Sequence, residues 1–571
     1  MLELSSEAVT FEASNSLSEI FFDDVNQKIC TVRGNGAIGV VARGPSPRDI
    51  ITFRLKDNGK IKSMKLAPGC GTVAVQRETS RVDFATLKAL GANVVPKEFS
   101  QSCKMRNATI LGLEWISKVE VLFVTNQGIE LYQVNSDKET VKLLKTYNLS
   151  IIWFVYYPKC RMLIASSGSN GTILNPFLIQ NGVIARIPRF DVDLGSSKLK
   201  LLERDVTVAA IYGNVFILVL RHSPRDNNLS DIVMYEINSD PAQCALMTHS
   251  LTLGQSGQFA MHVLDSLIVV HHQTTARSMI FDIRVGGVFD GIAHTHRPVV
   301  DNIAIAVPNN VSTDPDCSYE PDVELYAPTW VVFPPDLIID AKVGCMWRIR
   351  VELAPAVEIF KDNCALVQFL LHRRTAKRLL LTVLRSLIQD RALTLKDVST
   401  VFDWLSDAYA EHLRSGQKKS GDALQARLLL PLEPFQSVVI EQSDIFNHVF
   451  YSLTEEQSMD KKYLVDCMLQ YLLSLQERRV EAQPFLHEIL VSSLARCEDF
   501  VKLQQLLQYR VIADTKPLAF LLLSLEAKHT PLLQLAVDML ARLGTAVEEI
   551  VEVLMSKHRI VDALRFPFVS L

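Results

Sequence analysis

The stretch LYAPTWVVFPPDLIIDAKVGCMWRIRVELAPAVEIFKD, residues 325–362, divides the chain. Trp330-Val331-Val332-Phe333 and Leu337-Ile338-Ile339 are short apolar, β-branched or aromatic runs, and Pro334-Pro335 between them keeps either from extending into a helix. Cys345-Met346-Trp347-Arg348-Ile349-Arg350-Val351 alternates apolar with charged residues, the period of a half-buried strand. After Pro355 the period changes. From Phe360 onward apolar residues recur at three and four, and glycine and proline thin out. The chain therefore reads as multidomain, β then α, with residues 1–355 in the first part and 356–571 in the second.

Upstream of the seam, short strands and turn formers alternate from residue 18 to 355. Ile20-Phe21-Phe22 and Ile29-Cys30-Thr31-Val32 flank Asp23-Asp24-Val25-Asn26. Val121–Val124, then Asn126-Gln127-Gly128, then Ile129–Val134 predicts a hairpin, as do Ile211-Tyr212-Gly213-Asn214-Val215 and Leu264-Asp265-Ser266-Leu267. Met279–Ile283 is the strand expected next. Strands of this regularity over about 350 residues suit a β-propeller better than a sandwich. Blades of about 40–50 residues make room for about seven. The polar stretch Asn309–Pro321 reads as an exposed loop.

Downstream, Thr394-Leu395-Lys396-Asp397 has the form of a capping box, followed at helical spacing by Val398, Val401, Phe402 and Leu405. Residues 414–426, with Gly416 and Gly421, read as a flexible linker. Helices are expected again near Ser443 and after Ser458. The segment 531–543 has Thr530 as cap, Pro531 at the first helical position and Gly544 as stop, and Thr545–Glu548 reads as another capping box. Successive antiparallel helices of this kind make an α-solenoid, which offers long surfaces for protein partners.

The totals narrow the function. Hydrophobic residues are 48% and charged residues 21% of the 571, usual for a globular chain with a large core. A net charge of −4 supplies no field to draw in nucleic acid. The start, MLELSSEAVTFEAS, lacks the basic region of a secretory signal. The apolar run Leu379–Leu387 is broken by Arg385, far short of the ~20 residues a membrane span needs. Ten cysteines are scattered from Cys30 to Cys497 without a CxxC pair, so a cytoplasmic chain without disulfide or zinc framework is expected.

Three patterns resemble chemical motifs. Gly34-Asn35-Gly36-Ala37-Ile38-Gly39 matches GxGxxG, but Val40-Val41 and Gly44-Pro45 follow where a dinucleotide site requires a helix, so a glycine-rich hairpin is expected. His271-His272 are neighbours on a strand and point to opposite faces, which separates them as metal ligands. Glu548, Glu549 and Glu552 read as a solvated helix face. No nucleophile elbow, phosphate loop or HExxH is present. The expectation is a non-enzyme with no catalytic, cofactor-binding or metal residues and no cofactor; partner-binding residues are not legible at this level.

Five stretches together carry a resemblance: TNQGIELYQV (Thr125–Val134), ERDVTVAAIYGNVFILVLRH (Glu203–His222), VVHHQTTARSMIFDIRVGGVFDG (Val269–Gly291), KPLAFLLLSLE (Lys516–Glu526) and EEIVEVLMSKHRIVDALRF (Glu548–Phe566). The chain resembles the Bulli family of metazoan regulators of the Mon–Ccz complex, from about residue 20 to 566. The resemblance departs at Pro567, where family members continue with further helices and this chain stops at Leu571. It implies an N-terminal propeller, C-terminal helices and an accessory, non-catalytic role. The implied partners are the longin-domain proteins Mon and Ccz, as a heterotrimer that is a guanine nucleotide exchange factor for the late-endosomal Rab GTPase. The Rab and the membrane are then reached through the complex, peripherally on late endosomes, lysosomes and autophagosomes, in support of endosome maturation, endolysosomal fusion and autophagy. The rival expectation is a coat- or tether-type propeller–solenoid scaffold. Within the helical half, residues 444–566 are a candidate docking surface for the pair: Lys516–Glu526 is apolar nearly all round and must be covered on more than one side, either by a partner or within a purely internal core.

Overall fold

In a computed structural model of the chain, the turn formers of the β part close antiparallel hairpins. The structure describes all residues except 7, 16–17, 47, 88–95, 196–198, 223–228, 239–242, 308–323, 419–434, 436, 545 and 570–571. Tyr212–Gly213 and Asp265–Ser266 each carry two successive positive φ angles, the turn whose twist matches that of the strands it joins. At Gly128, φ is 150° and an added Cβ would lie 2.1 Å from the carbonyl oxygen of Tyr147, so the residue must be glycine.

Seven antiparallel sheets follow one another along the chain, spanning 18–53, 63–102, 110–148, 154–191, 206–252, 259–303 and 330–351. These are the blades of a seven-bladed β-propeller. Central strands such as Glu120–Thr125 and Met162–Ser167 are buried on both faces, which is why apolar residues run consecutively through Val121–Val124 and Met162–Ala165 rather than alternating. The core consequently consists of layers between blades. Phe84, Trp115, Phe123 and Tyr132 fill the layer between the second and third blades, and Trp153, Ile164, Ile217 and Tyr235 that between the fourth and fifth. Lys65 is buried among three blades, with its Nζ 2.7 Å from Asp24 and 3.2 Å from Glu114.

The seam supplies three strands of the seventh blade, Trp330–Phe333, Leu337–Asp340 and Cys345–Val351. The fourth is Leu2–Leu4, with Leu2 opposite Val351 and Leu4 opposite Ile349. The two ends of the β part are thereby hydrogen-bonded to each other and the ring is closed. A second departure from simple blade order lies in 288–296. Val288–Phe289 and His294–His296 form a hairpin in the sequence of the sixth blade, yet His294–His296 pairs in parallel with Leu246–Thr252, the outer strand of the fifth.

By contact, the described residues divide into two units, 1–352 with Phe435, and 353–418 with 437–569. In the first unit Phe435 packs on Tyr212, ring centroids 4.8 Å apart, and the guanidinium of Arg284 lies 5.0 Å from the Phe435 ring. The second unit is helical from Ala356 onward. Its longer helices are Lys377–Gln389, Leu395–Lys418, Lys461–Glu477, Pro484–Arg496 and Pro531–Leu543. The Thr394 capping box is present: its Oγ1 accepts from Asp397 N at 3.2 Å, and Asp397 Oδ2 accepts from Thr394 N at 3.1 Å.

Four expectations need correction or lie outside the described residues. Thr530 makes no side-chain cap; its backbone is already helical at φ −54° and ψ −35°, which turns the hydroxyl away from the amides it was to serve. The helix from Leu395 continues to Lys418, through the start of the expected linker, because one interior glycine at 416 costs only ~1 kcal/mol. The remainder of that linker, the loop 309–321 with its neighbours, and Thr545 are not among the described residues.

Candidate functional site

The GxGxxG stretch forms a single tight turn, Gly34–Gly36, between the strands Lys28–Arg33 and Gly39–Arg43. No helix N-terminus is available there to receive a phosphate. His271 and His272 are both buried and do face opposite ways. His271 bonds to His262 and Ser278, whereas His272 bonds to Thr275 Oγ1 at 2.8 Å and to the carbonyl of Ser256 at 3.1 Å.

His271 belongs to a linear chain of hydrogen bonds that adjacency in sequence concealed. His262 Nε2 lies 3.0 Å from the Leu337 carbonyl, His262 Nδ1 lies 3.0 Å from His271 Nε2, His271 Nδ1 lies 2.8 Å from Ser278 Oγ, and Ser278 Oγ lies 2.5 Å from the Tyr326 hydroxyl. Burial depresses the basicity of both imidazoles, His262 to about 4 and His271 well below its usual value. A second group, His249, His294 and His296, gathers where the 288–296 hairpin joins the fifth blade, with His249 Nδ1 3.0 Å from His296 Nε2. His294 and His296 are two apart on a strand and so share a face, the signal that sequence reading passed over. Among the described residues no three His, Cys, Asp or Glu side chains converge on a metal position.

The acidic trio on the helix Val547–Ser556 divides. Glu548 and Glu552 are exposed, while Glu549 Oε1 is 2.7 Å from Lys516 Nζ. That ion pair ties it to the helix Lys516–Ser524, whose first turn is capped by Thr515 Oγ1 accepting from Leu518 N at 3.3 Å. Leu518, Ala519 and Leu522 of this apolar helix are buried, with Leu522 0% exposed, and Phe520 is 46% exposed. Neighbouring helices thus cover one side of it and leave the other at the surface. Arg542 grips Asp514 with two bonds of 2.7 and 2.8 Å, fixing the loop in front of it. What the helical unit offers is a rigid, ridged surface carrying exposed apolar side chains. Such surfaces suit contacts with proteins. Among the described residues no helix is long and apolar enough to cross a membrane.

Two family models match the chain. One is described as Regulator of MON1-CCZ1 complex, N-terminal, and matches residues 20–141; the other is described as Regulator of MON1-CCZ1 complex, C-terminal, and matches residues 373–567. The chain is 39% identical to the Regulator of MON1-CCZ1 complex of Mus musculus over 99% of its own length and 87% of the relative's. Identity to the Homo sapiens protein of that name is also 39%, with the same coverage. A Dictyostelium discoideum homologue of the regulator is 24% identical over 33% of this chain and 18% of its own.

Proposed function

The chain belongs to the Regulator of MON1-CCZ1 complex family, and on that premise we propose that it is an accessory, non-catalytic subunit of the MON1–CCZ1 complex. The observation that carries the reading is the spread of the similarity: identity of 39% runs over 99% of the chain, so propeller and helices are both retained. In this reading MON1 and CCZ1, the Mon and Ccz partners expected from the sequence, form a heterotrimer with the chain and perform nucleotide exchange on the late-endosomal Rab GTPase. The chain supplies a scaffold, reaches late endosomes, lysosomes and autophagosomes peripherally through the complex, and supports endosome maturation, endolysosomal fusion and autophagy.

The test is reconstitution. The tagged chain, co-expressed with MON1 and CCZ1, is expected to elute as one species with one copy of each. Added alone to the Rab loaded with a fluorescent nucleotide, it is expected to leave the release rate unchanged. Elution without the pair, or assembly of the chain into a lattice as a coat protein assembles, would overturn the accessory reading. Faster release caused by the chain alone would overturn its non-catalytic part.

A further inference from the structure

Two helix ends in the second unit are built alike. After Lys461–Glu477 come Arg479-Val480, and after Phe500–Gln508 come Arg510-Val511. Both arginines lie in the left-handed region, at φ 57° and 56°. Both ends also close with the same pair of bonds. Val480 N donates to Leu475 O at 3.0 Å and Arg479 N to Gln476 O at 3.0 Å; Val511 N donates to Leu506 O at 3.0 Å and Arg510 N to Leu507 O at 3.2 Å. This is the helix stop that satisfies the last carbonyls, and both Arg-Val pairs line one groove.

The groove has a volume of about 570 Å³, and Leu469, Leu473, Arg479, Val480, Arg510 and Val511 are among the residues that line it. Leu473 and Val511 are 47% and 44% exposed, and the apolar surface continues to Tyr509, which is 80% exposed. A small ligand would leave that extension in water. Arg478, beside Arg479, is engaged with Asp403 and Asp407. Arg479 and Arg510 are exposed, and among the described residues neither has a carboxylate within ion-pair distance. One acidic residue, Glu481, also lines the groove, so its side chains carry a net positive charge in a chain of net charge −4.

We propose that this groove docks an acidic amphipathic helix of a partner protein, the apolar face of that helix on Leu469, Leu473, Val480 and Val511 and its carboxylates on Arg479 and Arg510. The lining of exposed leucine and valine, flanked by two arginines without carboxylate partners among the described residues, matches an amphipathic segment with an apolar face and an acidic edge. Helix-in-groove recognition uses apolar anchors one turn apart, and arginine and tyrosine are residue types enriched at energetic hot spots. The inference rests on the reading that MON1–CCZ1 binds this chain, and it specifies the surface and the chemistry of the bound segment.

The experiment measures binding of the full-length chain to the purified MON1–CCZ1 pair. R479E/R510E is expected to weaken binding by about tenfold, R479K/R510K to keep most of it, and L473E to weaken it by about tenfold. The three positions are exposed, so melting curves of the variants are expected to overlay that of the parent. A photo-crosslinking residue at position 473 is expected to capture a helix-forming, carboxylate-bearing segment of MON1 or CCZ1. Undiminished binding by R479E/R510E, or capture of a second copy of the chain or of a segment without carboxylates, would overturn the proposal while leaving the accessory reading in place. Failure of the unaltered chain to bind the pair would overturn both.

Discussion

At His262 and His271 the hydrogen bonds allow one arrangement of protons. A carbonyl only accepts, so His262 Nε2–H donates to Leu337, and His262 Nδ1 must accept from His271 Nε2–H. His271 Nδ1 then accepts from Ser278, and Ser278 from Tyr326. A proton added to either imidazole breaks the chain, which is the local counterpart of the desolvation that holds both neutral. His249 follows the same logic at the 288–296 hairpin, where burial, His296 and His294 depress it to about 4. Unfolded, an imidazole binds its proton near pH 6.5. Between about 6.5 and 4 the unfolded chain therefore holds more protons, and the stability these groups contribute is lost as pH falls through that window. Glu114, pushed up by burial, acts in the opposite sense as it protonates, so the decisive measurement is a difference between proteins. The melting temperature of His249→Asn is expected to fall less than that of the parent between pH 7 and pH 5. Parallel profiles would remove His249 from the account.

At the scale of elements, the same residue type performs different work at two helix starts. Thr394 accepts from Asp397 N and is reached by the Asp397 carboxylate in return, whereas Thr530 has no side-chain cap. Thr394→Ala is expected to cost about 1 kcal/mol, and Thr530→Ala to change stability by less than about 0.5 kcal/mol. Urea unfolding followed by helical circular dichroism checks both; equal losses would show that Thr530 caps in solution. The difference was not legible from sequence, because S/T-x-x-D/E spacing reports which bonds are feasible, and the backbone angle at the cap decides whether they form. The hairpins were legible. Their turns are local, and Asn126-Gln127-Gly128 or Tyr212-Gly213 already contain the residues that tolerate positive φ. The helix Lys516–Ser524 was legible as a helix, but the exposure of Phe520 was not. Which side of an apolar helix is covered depends on neighbours.

For the whole molecule, closure of the ring rests on the first residues of the chain. Leu2 and Leu4 are 1% and 2% exposed in the seventh blade. Burial of two leucines contributes roughly 3–6 kcal/mol. We propose that residues 1–355 fold when made alone, with circular dichroism dominated by strand, and that 356–571 is dominated by helix. Beginning the first fragment at residue 6 is expected to lower its melting temperature by about 10 °C. An unchanged melt would mean that the N-terminal strand adds nothing to closure, and comparable helix in both fragments would refute the division. Phe435 contributes to the first unit from a position far along the chain, so 1–355 is also expected to melt below the propeller of the intact protein.

The sequence by itself determined the class of each half, the change of period at residues 325–362, the hairpin turns and the Thr394 cap. All of these depend on residues within one or two turns of each other. The resemblance carried by the five quoted stretches pointed to the family. Tertiary structure alone decided the seventh blade, whose outer strand comes from 345 residues away, with Leu4 opposite Ile349. It also decided the attachment of the 288–296 hairpin to a blade other than its own, the His262–His271–Ser278–Tyr326 chain and the groove between two helix ends. In each case the partners are separated in sequence, and a period of two or of 3.6 says which face of an element is apolar but not what will cover it.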